Sequence, residues 1–433
     1  MLTRRQFLPT AAAIATQARP ILGANDRVQM AVIGLGGRGR DHIAGYTGIP
    51  ISRIVALCDV NQAALERGQA LVRQAQNDTP TGYSDMRKLF EDKQVDAVSI
   101  ATPNHWHALS TIWACQAGKD VYVEKPASHN VFEGRQMVAA ARKYKRMVQV
   151  GSQSRSTAHK RMAMEELRKG VIGKLYSARG LCFRRRQSIG RTPVEPVPPG
   201  LDWDLFLGPA PMRPYTKNRF AYNWHWFWDT GNGDIGNQGV HEMDICRWGL
   251  GEAGFPEAVT STGGKFIWDD DQETPNTQHA AFDFAGREIT FEVRNLPTGS
   301  EGELPIPGPS IVGNIFFGSE GFMAVHPEGF QVYLGDKREK TMDVKYSEPR
   351  VWDYFPHMTN FLEAVQKRDH MHLNADIAIG AASAAFCHLA NTSYRLGRRL
   401  RVDPKAERFA GDLEANRMLT RNYRAPYVVP LNV

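Results

Sequence analysis

Residues 27–39, RVQMAVIGLGGRG, decide the fold. The segment 27–33 is a short apolar, β-branched run of strand length, and glycines at 34, 36 and 39 follow it at once, leading into a helical segment expected over 39–46. A G-x-G-x-x-G loop is informative only between a strand and a helix, and both flanks are present here. Gly34 permits the tight turn, Gly36 lets a pyrophosphate approach the backbone, and Gly39 lets helix and strand pack closely; Gly37 and Arg38 complete the loop. Free N–H groups at the helix start then form an anion site.

Working outward, a second apolar strand over 54–58 (IVALC) ends at Asp59, 20 residues after Gly39. At that distance a carboxylate accepts hydrogen bonds from an adenosine ribose diol. Val60 and Asn61 follow it rather than a basic residue, so a 2′-phosphate would meet an unpaired negative charge. NAD is therefore expected in preference to NADP, and Arg38 is the loop cation able to neutralise a 2′-phosphate. A third strand over 97–101 runs into TPNHWH at 102–107, and a fourth over 120–123 runs into Glu124-Lys125-Pro126. Such strand ends deliver Thr102, Asn104, His107 and Glu124 to the carboxyl edge of a parallel sheet, where open α/β folds bind ligands. His105 and His107 read equally as surface-loop histidines. Lys125 precedes a proline, which holds it extended and suits a side chain aimed into a site. Beside an oxidised nicotinamide, burial and the ring's positive charge would lower its pKa and make it a usable proton donor or acceptor; the alternative is a snorkelling surface lysine.

The chain has 433 residues, 42% hydrophobic and 23% charged, enough for about two domains with large cores. Its 53 basic and 46 acidic residues are interspersed, which reads as a solvated surface rather than a nucleic-acid face. Residues 1–24 read as an address: TRRQFL at 3–8 is a twin-arginine export pattern, followed by an Ala-rich run and small residues suited to cleavage at Ala18 or Ala24. A periplasmic location follows, and no later stretch is long and apolar enough to span a membrane. Cys58, Cys115, Cys182, Cys246 and Cys387 are scattered without a C-x-x-C pair, so buried inert thiols are expected and no metal site is indicated.

The residues quoted so far, with the stretches 101–105 (ATPNH), 202–211 (DWDLFLGPAP), 231–248, 388–391 (HLAN) and 397–403 (GRRLRVD), resemble the glucose-fructose oxidoreductase, inositol dehydrogenase and rhizopine-catabolism (Gfo/Idh/MocA) family. The likeness implies a Rossmann domain over 27–150 and an α+β domain over 151–402 built on an open, mostly antiparallel sheet. A C-terminal arm over 403–433 follows, and a homo-oligomer, dimer or tetramer, is implied. Strands are expected over 174–181, 277–284, 288–293, 314–317 and 329–334, and a buried helix over 377–396. The likeness places Gln153 and Trp203 at the cofactor and His241 facing the nicotinamide, where it acts on the substrate hydroxyl with an aspartate commonly four residues earlier. That position is Asn237, whose amide orients but cannot relay a proton. Lys125 and His241 are the catalytic pair, either of which serves as the base.

Tyr215, Phe220, Tyr222, Trp224, His225, Trp226, Phe227 and Trp228 crowd the preceding segment. Packed aromatics are usually core, yet indoles also stack on pyranose C–H faces, so Trp224 and His225 are candidate carbohydrate contacts. Arg155 and the run Arg184 to Arg186 are candidate clamps for the substrate. An exported enzyme has no fresh nicotinamide supply, so its cofactor must recycle. One sugar oxidised against a second carbonyl compound meets that condition. So does a glycosidase that oxidises, eliminates, hydrates and re-reduces. A cofactor-bound sensor would need neither Lys125 nor His241.

Overall fold

The computed structural model describes residues 27–251, 254–296, 310–346 and 354–433; residues 1–24, where an export signal is expected, lie outside them. The first layer is a parallel sheet of β1 (Val28–Ile33), β2 (Ser52–Cys58), β3 (Thr81–Tyr83), β4 (Ala97–Ile100), β5 (Asp120–Val123) and β6 (Val148–Val150), in the order β3-β2-β1-β4-β5-β6. That is the Rossmann order, with the reversal between β1 and β4. Every residue of β4, β5 and β6 is buried, as a parallel sheet covered on both faces requires. Its helices are α1 (Gly37–Gly48), α2 (Gln62–Gln76), α3 (Met86–Glu91), α4 (Asn104–Gln116) and α5 (Val131–Lys143). Local chemistry sets their ends: the Asn61 side chain accepts from the Ala63 and Ala64 N–H groups to start α2, and Asn77 closes it in the left-handed region.

The second half adds α6 (Ala158–Arg168), β7 (Leu175–Arg184), α7 (Trp203–Leu207), α8 (Gly233–Asn237) and α9 (Gly239–Leu250). Strands β8 (Ala258–Gly264), β9 (Thr277–Phe284), β10 (Arg287–Arg294), β11 (Ser310–Gly318), β12 (Gly321–His326), β13 (Gly329–Leu334) and β14 (Glu339–Lys345) follow. The chain ends with α10 (Phe355–Lys367), α11 (Ile377–Leu396), β15 (Leu400–Asp403), β16 (Arg408–Phe409) and α12 (Leu413–Arg417). The sheet runs β14-β13-β12-β11-β7-β10-β9-β8-β15-β16, antiparallel except for the pair β7 and β10. Helices α9 and α11 close one face, where Phe282, Phe291, Phe316 and Phe330 pack with Met243 and Phe386. This is the expected Rossmann plus mostly antiparallel α+β architecture.

The linear division of the chain differs from its packing. Helix α10 buries Met358, Phe361 and Leu362 among Met30, Val32 and Tyr46 of the Rossmann core. Its His357 also exchanges contacts with β6, with Gln149 Nε2 donating to the His357 carbonyl. The arm is split in the same way: β16 pairs with β15, while Tyr427 and Val429 enter the apolar cluster around Trp106. Among the described residues no helix is long and apolar enough to cross a membrane.

Candidate functional site

The glycine turn, the ends of β2, β4 and β5, and helices α8 and α9 open on one cavity of about 1030 Å³. At one end Gly34 adopts φ +83°, and a Cβ there would sit 2.8 Å from the Ala101 carbonyl oxygen. A Cβ on Gly39 would lie 1.9 Å from the Gly34 oxygen, whereas Gly36 faces open space. Helix α1 starts with no side-chain cap and no acidic residue in its first turn, so its leading N–H groups remain available to an anion. Asp59 is gripped at the end of β2 by the Leu35 N–H (2.6 Å) and the Asn61 N–H (2.8 Å), one per carboxylate oxygen. Each oxygen retains capacity for a ribose hydroxyl. Burial raises the pKa of this carboxyl, against the two N–H bonds and the charge of Arg67. These residues fit a dinucleotide: an open glycine, an anion site and a carboxylate beyond it.

Arg38 does not face Asp59. Its guanidinium lies 3.2 Å from Asp41 and 3.3 Å from Glu124. The cation set against Asp59 is Arg67 of α2, which spacing gave no reason to single out. Glu124 is a junction: Oε1 meets His42 Nε2 at 3.1 Å, Oε2 accepts the Lys125 N–H at 3.1 Å, and His42 Nδ1 meets Ser99 Oγ at 2.9 Å. Burial opposes its charge, but Arg38 and His42 outweigh that and hold the carboxyl below its usual range. It therefore ties α1 to the end of β5 and fixes where Lys125 leaves the strand.

Lys125 Nζ donates to the Asn237 carbonyl oxygen at 2.8 Å, reaching the C-terminus of α8 from the Rossmann side. Four residues on, in the first turn of α9, His241 lines the same cavity. Burial, and then the Lys125 charge, push the His241 pKa down to about 3, so the ring is neutral at pH near 7. Its Nδ1 is buried without a hydrogen-bond partner among the described residues. Burial also lowers the Lys125 pKa, with Glu124 opposing. The Lys125 charge thus helps to keep the His241 ring neutral.

Thr102, Asn104, His107, Gln153, Trp224 and Asn237 also line the cavity. The histidines at 105 and 107 sit in the first turn of α4, not in a surface loop. His107 lies between the Pro126 (2.8 Å) and Thr102 (2.9 Å) carbonyls, and His105 between those of Phe206 (3.0 Å) and Thr230 (3.3 Å). Asn104 donates to Asn232 at 2.9 Å. The Asn237 amide turns to Tyr222 Oη (3.1 Å) and Asp234 (3.2 Å), so it orients the tyrosine rather than His241.

Three expected contacts fall away from the wall. Arg155 donates two buried hydrogen bonds to Asp244, each of 2.8 Å, and lies over Trp248, so it clamps α9 instead of a substrate. Trp203 donates to the Arg213 carbonyl (2.8 Å) and stacks on Phe206. His225 is fully buried against Trp226, and burial pushes it down to about 4. Of the aromatic run, Phe220, Tyr222 and Trp224 face the cavity, while Tyr215, Trp226 and Phe227 are core. Arg186 pairs with buried Asp234 at 3.1 Å. The wall also carries Lys160, Gln238 and Glu242, absent from the expectations. Glu242 alone had a readable signal, its place beside His241.

Two family models match this chain. The oxidoreductase family model with an NAD-binding Rossmann fold covers residues 28–152, and its C-terminal α/β domain covers 183–261 and 327–429. Levoglucosan dehydrogenase of Pseudarthrobacter phenanthrenivorans is 28% identical over 242 residues, 54% of each chain. A glycosyl hydrolase family 109 protein of Shewanella sp. is 29% identical over 154 residues, 35% of this chain and 34% of that one. The chain thus spans between a third and about half the length of these relatives. Levoglucosan dehydrogenase in complex with NADH superposes with TM-score 0.68 at 18% identity, covering 87% of this chain and 100% of that one. The WlbA dehydrogenase of Bordetella pertussis, with NADH and UDP-GlcNAcA, gives 0.63 at 19%, covering 87% and 99%.

Proposed function

Because this chain belongs to the Gfo/Idh/MocA oxidoreductase family and carries its NAD-binding Rossmann domain, we propose that it oxidises a sugar hydroxyl and passes the hydride on to a second carbonyl compound, with a cofactor retained through turnover. The observation that carries this reading is the convergence of Lys125 and His241 on the cavity that begins at the glycine turn. The anion site of α1 and Asp59 would hold the pyrophosphate and the adenosine ribose, and the nicotinamide would supply the hydride acceptor. The chain's own part is proton handling and orientation. Neutral His241 and the depressed Lys125 accept the hydroxyl proton as a pair; Tyr222, Trp224 and Asn237 present stacking and hydrogen-bonding surface to a pyranose. Engagement of Arg38 by Glu124 and Asp41, with Asp59 left facing the cavity, supports NAD over NADP. The twin-arginine pattern at 3–8 would export the folded, loaded protein to the periplasm, where a retained cofactor is the condition for repeated turnover.

A second reading follows from Glu242, a buried carboxyl beside His241: oxidation, elimination and hydration of a glycoside, leaving the cofactor unchanged overall. The test uses protein purified without added nucleotide, mixed with free sugars and glycosides while reduced-nicotinamide absorbance and products are followed together. A stoichiometric rise reversed by a second sugar is the signature of the first reading, and sugar release without net rise that of the second. Lys125→Ala and His241→Ala should each reduce turnover roughly 10²–10⁴-fold while nucleotide still copurifies. Undiminished turnover in both variants would remove the proposed pair.

A further inference from the structure

We propose that Glu242 is the proton donor to the leaving oxygen of a glycoside, so that this cavity cleaves a C–O bond. The proposal rests on the oxidation and elimination reading above. Glu242 follows His241 on α9, is 3% exposed and lines the cavity. Its Oε1 accepts from Gln238 Nε2 at 3.3 Å, while Oε2 is buried with no partner among the described residues. A bare carboxylate oxygen in that setting is costly, and either a proton or a substrate hydroxyl relieves it.

Burial pushes the Glu242 pKa up to about 8, with Lys160 pulling it back. The charged and titratable groups around it are Lys160 on α6, Asp234 on α8 and Lys125 at the end of β5, with the thiols of Cys182, Cys246 and Cys387 on β7, α9 and α11. Near neutral pH the group is therefore mostly a protonated carboxyl, able to donate.

The step balances as follows. A ketone formed transiently on the ring acidifies the neighbouring C–H, whose proton goes to the Lys125–His241 pair once that pair has released the hydroxyl proton to solvent. The C–H electron pair becomes the ring C=C bond, the C–O bond to the aglycone breaks with its pair on oxygen, and Glu242 protonates that oxygen. Water then adds across the C=C bond. Its hydroxyl goes to the anomeric carbon, its proton returns to Glu242, and the first base gives its proton back to the adjacent carbon. The net change is hydrolysis; a bound nicotinamide would supply the hydride to the ketone carbon, and the Lys125–His241 pair would supply the proton to its oxygen.

The test compares nitrophenyl with methyl glycosides of the same sugars on the purified holoenzyme. Phenolates leave with little help and alkoxides do not, so Glu242→Gln should lose roughly 10²-fold or more on methyl glycosides and far less on nitrophenyl glycosides. The wild-type methyl-glycoside rate should fall above pH of about 8. Glu242→Gln abolishes that limb, and Lys160→Met moves it to higher pH. Infrared difference spectra of the holoenzyme should show a protonated-carboxyl stretch near neutral pH that Glu242→Gln removes, a readout independent of turnover. Equal loss on both substrate classes with an unmoved limb, or no such stretch, overturns the proposal alone. Free sugars reducing the cofactor while no glycoside is cleaved overturns the underlying reading and the proposal with it.

Discussion

Asp59 and Arg155 show what decides whether a side chain's role is visible in one dimension. Asp59 owes its place to a strand end and a fixed distance from the glycine turn, both local quantities. Arg155 meets Asp244 across a separation of 89 residues, and no pattern in either neighbourhood announces that pairing. Arg38 belongs with Arg155: only the fold brings Glu124 to it and leaves Arg67 as the cation beside Asp59. Cofactor choice is therefore tested at these two residues. Asp59→Asn removes the charge-assisted acceptor for the ribose, a bond of about 1.5–3 kcal/mol, while Arg67 stays to meet a 2′-phosphate. Titration calorimetry should show NAD affinity falling and NADP affinity rising. An unchanged ratio would place nucleotide discrimination elsewhere.

At the scale of elements, the turn from β1 to α1 separates the two jobs of its glycines. A methyl on Gly36 meets open space, so Gly36→Ala should keep the thermal midpoint and weaken nucleotide binding. A methyl on Gly39 would collide with the Gly34 oxygen, so Gly39→Ala should lower the midpoint by several degrees as strand and helix move apart. Equal midpoints, measured by calorimetry on protein stripped of nucleotide, would contradict this division. Elements with a strong period were readable: α11 occupies the expected 377–396, and β9, β10 and β13 lie where alternation placed them. The three-residue strands β3 and β6 are too short to show a period, and β14 is a largely exposed edge strand. The segment 233–237 reads as a glycine-rich turn yet forms α8, because its packing overrides weak helix propensity.

Across the whole molecule the buried histidines act together. Burial pushes His105, His241 and His388 down to about 3, and His225 and His357 to about 4, from 6.5. As pH falls below about 6.5, the unfolded chain binds protons that the folded one refuses, so stability is lost down towards about pH 3–4. Glu242 works in the opposite sense: folded, it keeps its proton up to about pH 8, so its contribution declines as pH rises from 4.5. Burial likewise lowers His107, His129 and His159 and raises Asp59, Asp120 and Glu133, so eight histidines stand against four carboxyls; the thermal midpoint should drop between pH of about 7 and about 5, and a flat profile in scanning calorimetry would refute the assignment. The sequence by itself determined the Rossmann half, the NAD-type acidic residue, the Lys125 and His241 candidates and the α+β character of the rest. The Rossmann half, its acidic residue and Lys125 at a strand end follow from periodicity and fixed spacings along a continuous chain, the later strands argue for the α+β half, and the role of His241 is what the family resemblance implies. Tertiary structure alone decided that α10 and the C-terminal arm complete the Rossmann core, that Arg155, Trp203 and His225 are structural, and that Glu242 enters the site. Each of these depends on contacts between residues far apart in the chain, formed because apolar stripes and buried charges must find partners wherever the fold supplies them.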